Sequence, residues 1–395
     1  MATLETSVLG IKFENPFLLA SAPPTANIQS IDKAFELGWG GAVLKTITPG
    51  DLKMIEASTR YAAFKDGGKV YGFENIELLS HLTIKEWLEG VRFLKEKHPT
   101  KVIIASIMAP VDKEKWQELV KTFNKSPCDA FELNFSCPHG MPENGIGMAI
   151  GTDPEISAKI TKWVTEVATK PVFVKLSPNV TNITDIVKVV EASGANGLAA
   201  INTVQSMMGV NLDTFTPYPN VNGKSTFGGY SGMAVKPIGL RCVAQMRQTS
   251  ELPILGIGGI SKWQDAAEYM TVGADVVQVC TEVMINGYGI IAGLKKGLLG
   301  YLEKKGFKSP KDLKNKAIDH LSSHEALPKE KKAHPVFDDA LCCKCGKCVK
   351  ICSESEHACL SLTEGHIKLD KKCCVGCSLC SIACPKGAIK MQTKG

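Results

Sequence analysis

Residues 172–179 read VFVKLSPN, a short apolar run that ends on a lysine. The run Ala42–Lys45 ends in the same way. A buried ammonium group needs an anionic or electron-rich partner, because an isolated charge is strongly disfavoured in apolar surroundings. Strands often end on a polar residue, and this alone explains one or two polar residues at the ends of such runs. It explains poorly why two apolar runs both end on a lysine. These runs therefore predict β-strands whose ends face a binding site.

Runs of this kind recur through residues 1–290, with longer helical patterns between them. Apolar β-runs that alternate with helices are typical of a parallel sheet. Eight such units within about 300 residues predict an α/β protein with a closed (β/α)₈ TIM barrel, whose strand ends all point to the face that holds active sites. The eight runs are Phe17–Ala20, Ala42–Lys45, Val102–Ile107, Ala130–Asn134, Val172–Lys175, Gly197–Ile201, Ile254–Gly256 and Val276–Val279. The residues that follow or close the runs are Ser21, Lys45, Asn134, Lys175, Asn202, Gly258–Gly259 and Cys280.

The length of 395 residues fits a barrel of typical size with a short appendage. Hydrophobic residues make up 44% of the chain. No apolar run reaches the roughly 18 residues that cross a bilayer. Residues 1–10 lack a secretory pattern, so we expect a cytoplasmic protein with no membrane partner.

Much of the net charge of +6 comes from residues 304–332, which we interpret as a solvated linker face rather than a nucleic-acid site. We expect a barrel over 1–302, a helical tail and linker over 303–335, and a separate module over 336–395.

Eleven of the fifteen cysteines lie after residue 340, in a module too small to build a large core. Tight Cys-x-x-Cys spacing indicates metal here, which makes disulfides improbable. Two repeats have the spacing Cys-x₂-Cys-x₂-Cys-x₃-Cys, in which three thiolates bind one [4Fe–4S] cluster and the fourth reaches the other cluster. Zinc is the alternative, although zinc sites usually place one Cys pair on each side of a spacer. Cys343, Cys359 and Cys373 belong to neither set, and we interpret them as packing or spectator residues. We predict an α+β ferredoxin-type domain with cluster 1 on Cys342, Cys345, Cys348 and Cys384, and cluster 2 on Cys374, Cys377, Cys380 and Cys352.

The stretch Asn134–Gly140, NFSCPHG, follows the fourth run and places Cys137 on the predicted active face. A free Cys in such a position is often only a small buried residue. Here it precedes a glycine-rich loop, Met141–Gly151, of a kind that can act as a lid. A thiol with an ordinary pKa of about 8.5 is protonated at neutral pH. Cys137 can therefore serve as the general acid in the reduction of a polarised C=C bond.

Glycines at Gly256–Ile260 follow the seventh run, and Gln278–Thr281 ends the eighth. The loops after these two strands usually hold phosphate in a barrel, because glycines let backbone N–H groups approach the anion. No G-x-G-x-x-G motif with a downstream acidic residue follows the first run, so we predict no nicotinamide site in this chain. A chain with clusters but no nicotinamide site requires a separate electron-donating partner.

Several long stretches together resemble a known family. Residues 1–300 resemble the barrel of the class 1 dihydroorotate dehydrogenase family. The whole chain resembles the dihydropyrimidine dehydrogenases, in particular the bacterial subunit that carries an FMN barrel and a ferredoxin segment. The matching stretches are NPF at 15–17, LASAPP at 19–24, KT at 45–46, ASIM at 105–108, NFSCPHGM at 134–141, KLSPN at 175–179, INTV at 201–204 and GYSG at 229–232.

This resemblance implies roles for the matching positions. Cys137 would be the general acid in the reduction of the C5=C6 bond of uracil or thymine, with FMN as the hydride donor. Electrons would come through the two [4Fe–4S] clusters from a partner subunit that binds FAD and NAD(P)H, in a hetero-oligomer built on a homodimer. The pyrimidine ring would be bound by Asn134, Ser136, Asn202 and Thr203. FMN would be held by Ser21, Lys45, Thr46, Lys175, Gly232, Ile257, Gly258, Gly259, Cys280 and Thr281.

One position departs from the pyrimidine enzymes, which present an Asn to the uracil edge a few residues after the ASIM stretch. Equal spacing places Asp112 at or near that position, as a further substrate contact. An ionised Asp accepts hydrogen bonds but cannot donate one, whereas Asn does both. A second hypothesis is therefore an enzyme for another cyclic amide or unsaturated ring acid, dihydroorotate included. A third is an electron carrier with an inert barrel, against which the retained Cys137, Lys45 and Lys175 argue.

Overall fold

The computed structural model describes residues 1–50, 55–135, 147–355 and 357–393. These residues form two compact units, Met1–His320 and Leu321–Gly395. Residues 303–320 belong to the first unit, to which they are joined by hydrogen bonds. The Asn315 nitrogen donates to the Met270 oxygen at 3.3 Å, for example. The finer boundaries at 302 and 335 stay predictions.

Short strands and longer helices follow one another along the chain. The strands are β1 (Thr6–Val8), β2 (Ile11–Phe13), β3 (Phe17–Leu19), β4 (Gly41–Val43), β5 (Tyr61–Asp66), β6 (Lys69–Asn75), β7 (Val102–Ile107), β8 (Ala130–Asn134), β9 (Val172–Lys175), β10 (Gly197–Ala200), β11 (Val204–Ser206), β12 (Val210–Asn211), β13 (Thr216–Pro217), β14 (Gly228–Ser231), β15 (Ile254–Ile257), β16 (Val276–Val279), β17 (Ala333–Phe337), β18 (Leu360–Thr363), β19 (His366–Leu369) and β20 (Ile389–Thr393). The α-helices are α1 (Ile28–Glu36), α2 (Ile84–Lys97), α3 (Lys113–Asn124), α4 (Met148–Gly151), α5 (Pro154–Thr165), α6 (Ile183–Ala192), α7 (Lys236–Thr249), α8 (Trp263–Thr271), α9 (Thr281–Asn286), α10 (Ile290–Lys305), α11 (Lys347–Glu354) and α12 (Leu379–Ala383).

Eight strands close into a barrel in the order β3, β4, β7, β8, β9, β10, β15 and β16. Each strand pairs in parallel with the next barrel strand along the chain. Val277 of β16 pairs with Phe17 of β3 and so closes the ring. The predicted TIM barrel is confirmed, and the ends of its eight strands lie within two residues of the predicted apolar runs. Because all strands are parallel, their carboxyl ends meet at one face.

Two layers of apolar side chains explain why these short strands are stable. The larger layer packs helices such as α2 and α3 against the outside of the barrel through Trp87 and Trp116. The smaller layer draws on every barrel strand and fills the barrel interior, with Phe13 of β2 packed against it. Towards the carboxyl ends of the strands the buried inward positions become polar, as at Glu132 and Gln278.

A four-stranded antiparallel sheet, in the order β11, β14, β6 and β5, stands outside the barrel. It combines two excursions of the chain, one between β4 and β7 and one between β10 and β15. Gly229 of β14 pairs with Asn75 of β6, which brings the two excursions together. This sheet was not predicted from the sequence.

The second unit contains two antiparallel pairs, β17 with β20 and β18 with β19, together with α11 and α12. Its buried core is small: Cys348, Leu360, Cys380 and Ile389. The structure joins Cys359 to Cys373 as a disulfide with Cα atoms 5.6 Å apart. This pairing corrects the expectation that disulfides are improbable here and that these two cysteines are packing or spectator residues. The pairing of β18 with β19 brings these cysteines together, since the Asp370 nitrogen donates to the Cys359 oxygen at 2.8 Å. Among the described residues, no helix combines the length and apolar character needed to span a bilayer.

Candidate active site

A cavity of about 1210 Å³, including the space at its mouth, opens at the carboxyl ends of the barrel strands. The loops that follow the strands and the β5–β6 hairpin form its wall. Apolar and polar groups are mixed in this lining, as is usual for sites that bind cofactors and small molecules. The lining includes every residue expected to hold FMN: Ser21, Lys45, Thr46, Lys175, Gly232, Ile257, Gly258, Gly259, Cys280 and Thr281.

The glycine turn after β15 has a backbone that only glycine adopts easily. Gly258 has φ +128° and Gly259 has φ +68°. A Cβ on Gly259 would lie 2.7 Å from the Gly232 carbonyl oxygen and 2.8 Å from the Lys236 nitrogen. The fully buried Tyr269 fixes the turn from behind, since its hydroxyl donates to the Gly258 carbonyl at 2.8 Å. Burial raises the pKa of the Tyr269 hydroxyl, which therefore stays a donor. The turn lines the cavity, and without side chains its backbone can approach an anion closely.

Two buried lysines lie in the cavity wall, and each is paired with a carboxylate. Lys45 Nζ lies 3.0 Å from Glu77 Oε1, and Lys175 Nζ lies 3.4 Å from Glu132 Oε1. Burial raises the pKa of the nearby Cys280 thiol to about 11, although the charges of Lys175 and Lys45 oppose this shift. The expectation that a buried ammonium at a strand end needs an anionic partner is met within the protein itself.

A chain of hydrogen bonds links the polar residues expected to bind FMN and substrate. The Asn134 Nδ2 group donates to Thr46 Oγ1 at 2.9 Å, and Asn202 Nδ2 donates to Asn134 Oδ1 at 3.1 Å. Thr46 Oγ1 also lies 2.9 Å from Ser106 Oγ and 3.1 Å from Ser21 Oγ. These contacts fix which end of the Asn134 amide is the donor, because the two ends have different partners.

The substrate residues are only partly brought together. Asn134, Asn202 and Thr203 line the cavity. Ser136 and the expected general acid Cys137 lie outside the described residues, as does most of the Met141–Gly151 loop.

Asp112 has a structural role that the spacing argument did not anticipate. It is the N-cap of α3, where its Oδ1 accepts from the backbone nitrogens of Glu114 at 2.9 Å and Lys115 at 3.3 Å. Among the described residues that line the cavity, Asp112 is absent. A carboxylate that accepts from the first turn of a helix stabilises that helix end. The structure therefore places this oxygen at a helix terminus, away from the cavity lining.

Several cavity residues escaped the sequence reasoning. The β6 segment supplies Tyr71, Phe73 and Asn75, and Glu77 follows it. The signal that could have revealed them is the unusually long interval between the runs Ala42–Lys45 and Val102–Ile107, much longer than one helix needs. Such an interval indicates an insertion, and insertions at this face of a barrel shape its active site.

The second unit contains two smaller cavities of about 350 and 360 Å³, and each is lined by one of the predicted ligand sets. Each cavity takes its fourth cysteine from the other repeat. Among the described residues, no group of three or more His, Cys, Asp or Glu side chains is arranged to hold a single metal ion. The first cavity is lined by Cys352, Cys374, Cys377 and Cys380, with Cys359 beside them. The second is lined by Cys342, Cys345, Cys348 and Cys384, with Cys343 beside them.

Comparison with known proteins agrees with this geometry. Residues 3–302 match the family profile described as dihydroorotate dehydrogenase. The chain belongs to the dihydroorotate dehydrogenase family. As a member of that family, it is a flavin oxidoreductase.

The relatives within the dihydroorotate dehydrogenase family differ in how much of this chain they match. The chain is 38% identical to the NAD-dependent dihydropyrimidine dehydrogenase subunit PreA of Escherichia coli, over 98% of this chain and 95% of that protein. It is 37% identical to the chloroplastic NADP(+) dihydropyrimidine dehydrogenase of Arabidopsis thaliana, over 83% of this chain and 80% of that one. The catalytic subunit of dihydroorotate dehydrogenase B (NAD(+)) from Pyrococcus abyssi is 36% identical, over 78% of this chain and 97% of its own length.

Proposed function

We propose that the chain reduces the C5=C6 bond of uracil or thymine to the 5,6-dihydropyrimidine. The observation that carries the proposal is the extent of the similarity to the bacterial dihydropyrimidine dehydrogenase subunit. A match over 98% of the chain must include the cysteine-rich second unit. The match to the dihydroorotate enzyme covers 78%, too little for the barrel segment 3–302 together with the whole second unit.

The barrel cavity fits FMN on three counts. The glycine turn provides a cradle for a phosphate, and Lys45 and Lys175, each paired with a carboxylate, place ammonium N–H donors in the wall. In addition, the buried Gln278 Oε1 has no hydrogen-bond partner among the described residues. A flavin ring carries an N–H donor that can satisfy a buried acceptor of this kind. The proposed FMN ligands are those expected from the sequence.

The second unit fits two [4Fe–4S] clusters. Its two cavities are each lined by four cysteines in the expected sets, and thiolates are the ligands that such clusters require. When bound, FMN would supply the hydride to the substrate ring, and the clusters would supply the electrons that reduce the flavin again.

In the proposed reaction the chain itself binds the ring and provides the proton. The amide groups of Asn134 and Asn202, with Thr203, offer both donors and acceptors, which complements the alternating N–H and C=O groups of a pyrimidine edge. The proposed general acid is Cys137, whose neutral thiol donates a proton to the ring carbon next to the one that accepts hydride.

The proposed partner is a separate subunit that binds FAD and NAD(P)H, in a hetero-oligomer built on a homodimer in the cytoplasm. This proposal rests on the sequence, which has cluster motifs but no nicotinamide motif. The name of the bacterial relative, which describes it as a subunit, supports it.

A second candidate is dihydroorotate oxidation, favoured by the similar identity to the dihydroorotate enzyme. The two can be separated by reducing the purified chain anaerobically and adding uracil, thymine or orotate while the flavin absorbance is followed. The proposal expects uracil and thymine to reoxidise the flavin with dihydropyrimidine as product. Reoxidation by orotate alone would favour the second candidate, and reoxidation by none of them would contradict both.

A further inference from the structure

Glu132 is a carboxylate in an unusual place, because it lies in the middle of a barrel strand and is 0% exposed. Its neighbours along β8, Phe131 and Leu133, pack in the outer apolar layer. Successive side chains of a strand point to opposite faces, so Glu132 points into the barrel. A carboxylate buried at such a position requires charged or hydrogen-bonding partners to remain ionised.

Glu132 has two such partners. One carboxylate oxygen, Oε1, lies 3.4 Å from Lys175 Nζ on the neighbouring strand β9. The other, Oε2, accepts from Gln278 Nε2 at 2.7 Å. Gln278 is on β16, which lies across the barrel from β8. Lys175 and Gln278 both line the cavity.

The charges of the buried pair cancel. Lys175 is 5% exposed and Glu132 is fully buried, so little water screens either group. A flavin becomes more negative when it accepts electrons, and a nearby cation stabilises that change whereas a nearby anion opposes it. Lys175 therefore favours reduction of a bound flavin, and Glu132 opposes it.

We propose that Glu132 is a positioning residue that holds the Lys175 ammonium in the cavity wall and lowers the reduction potential of the bound flavin. The inference rests on the proposed FMN site. Removing the carboxylate would leave the Lys175 charge uncompensated and make the flavin easier to reduce. Removing the lysine would leave a buried anion below the cavity and make the flavin harder to reduce.

The test is the midpoint potential of FMN in the full-length protein, measured by anaerobic spectroelectrochemistry. We expect Glu132→Gln to raise the potential and Lys175→Met to lower it. Each change should alter the ratio of reduced to oxidised flavin at a fixed potential by about tenfold or more, which is about 30 mV for a two-electron couple. The double variant should return close to the wild-type value because it removes both charges. Glu132→Asp, which keeps the charge, should also remain close to wild type.

A matched control comes from the same strand region. Asp129 immediately precedes the amino end of β8, whereas the cavity lies at the carboxyl end of the strand. Its carboxylate pairs with Lys95 at 3.0 Å. Asp129→Asn removes the carboxylate from a Lys–Asp pair that does not line the cavity, and it should leave the flavin potential unchanged.

The single variant Glu132→Gln leaves an uncompensated buried charge and can fail to fold. In that case the comparison of Lys175→Met with the double variant carries the test, and adding Glu132→Gln must raise the potential. Equal potentials within that comparison, or a flavin-bound Glu132→Gln variant with the wild-type value, would overturn the inference. If the wild-type protein itself binds no FMN, the proposed function is overturned together with the inference. That outcome differs from a flavin-bound variant with an unchanged potential, which overturns the inference alone.

Discussion

Thr46→Val is the substitution that most directly tests how the site orients its substrate. Valine keeps the shape of threonine but removes the hydroxyl, which lies within hydrogen-bond distance of Asn134, Ser106 and Ser21. The bond that matters for substrate is the one from Asn134 Nδ2 at 2.9 Å, because it determines which end of the amide faces the cavity as a donor.

The expected magnitude follows from that one bond. A neutral hydrogen bond of this kind contributes about 1 kcal/mol, which corresponds to roughly a fivefold change in an equilibrium constant. We therefore expect the KM for uracil to rise about five- to tenfold in Thr46→Val, with a smaller effect on kcat. The assay uses saturating FMN and a chemical electron donor, so that neither flavin loss nor the partner subunit affects the comparison.

Ser106→Ala is the matched control, because it removes another partner of Thr46 and leaves the bond between Thr46 and Asn134 in place. We expect its KM for uracil to change less than twofold. The reasoning would be refuted if Thr46→Val bound uracil as tightly as wild type. It would also be refuted if Ser106→Ala lost as much affinity as Thr46→Val.

Three further predictions concern cysteines. Cys348→Ala should reduce the iron content from about eight to about four atoms per chain while FMN stays bound; zinc in an anaerobic preparation would contradict the cluster assignment. Cys137→Ala should slow single-turnover reduction of uracil by about 10²–10⁴ and abolish the decline in rate at high pH, with Cys137→Ser between it and wild type; a wild-type rate would exclude the acid role. In FMN-free protein, Cys280 should react with iodoacetamide along a pH profile centred near 11 rather than at the ordinary thiol pKa of about 8.5, as followed by peptide mass spectrometry. Because the folded state holds this proton more tightly than the unfolded state, stability should fall as pH rises from about 9 to about 11; a profile centred at the ordinary value would contradict the burial argument.

The barrel could be predicted from the sequence because its strands are buried on both faces. Such strands appear as continuous apolar runs, as in Val102–Ile107, where every residue is buried in the structure. The polar residues at the ends of the runs could be assigned to one face because a parallel barrel leaves no alternative. The residues that end these runs and are expected to hold FMN, such as Lys45 and Lys175, line one cavity for this reason, and the rest of the FMN set was implied by the resemblance.

Other parts of the site depend on contacts between distant segments. The wall formed by β6 exists because Gly229 pairs with Asn75, a register that no local pattern specifies. Glu132 was visible as an acidic residue inside the apolar run Ala130–Asn134, but only the structure shows that Lys175 neutralises its charge and that Gln278 donates a hydrogen bond to it.

Spacing alone also left out a competing role for Asp112. A residue at that position can face the cavity or cap the helix that follows, and the two outcomes differ only in backbone geometry. The extended backbone of Asp112 (φ −140°) lets its carboxylate accept from the first turn of α3. Short polar residues commonly take this role at helix starts, which is the competing explanation that the spacing argument omitted.

The proposed reaction of this member of the dihydroorotate dehydrogenase family is electron transfer from a reduced flavin to a pyrimidine C5=C6 bond. It can be tested in a single-turnover experiment in which the full-length protein, reduced anaerobically, is mixed with uracil while flavin absorbance and product are measured together. We predict that the flavin reoxidises on addition of uracil, with one dihydrouracil formed for each electron pair lost. Flavin that stays reduced with uracil but reoxidises with orotate would contradict the proposed reaction.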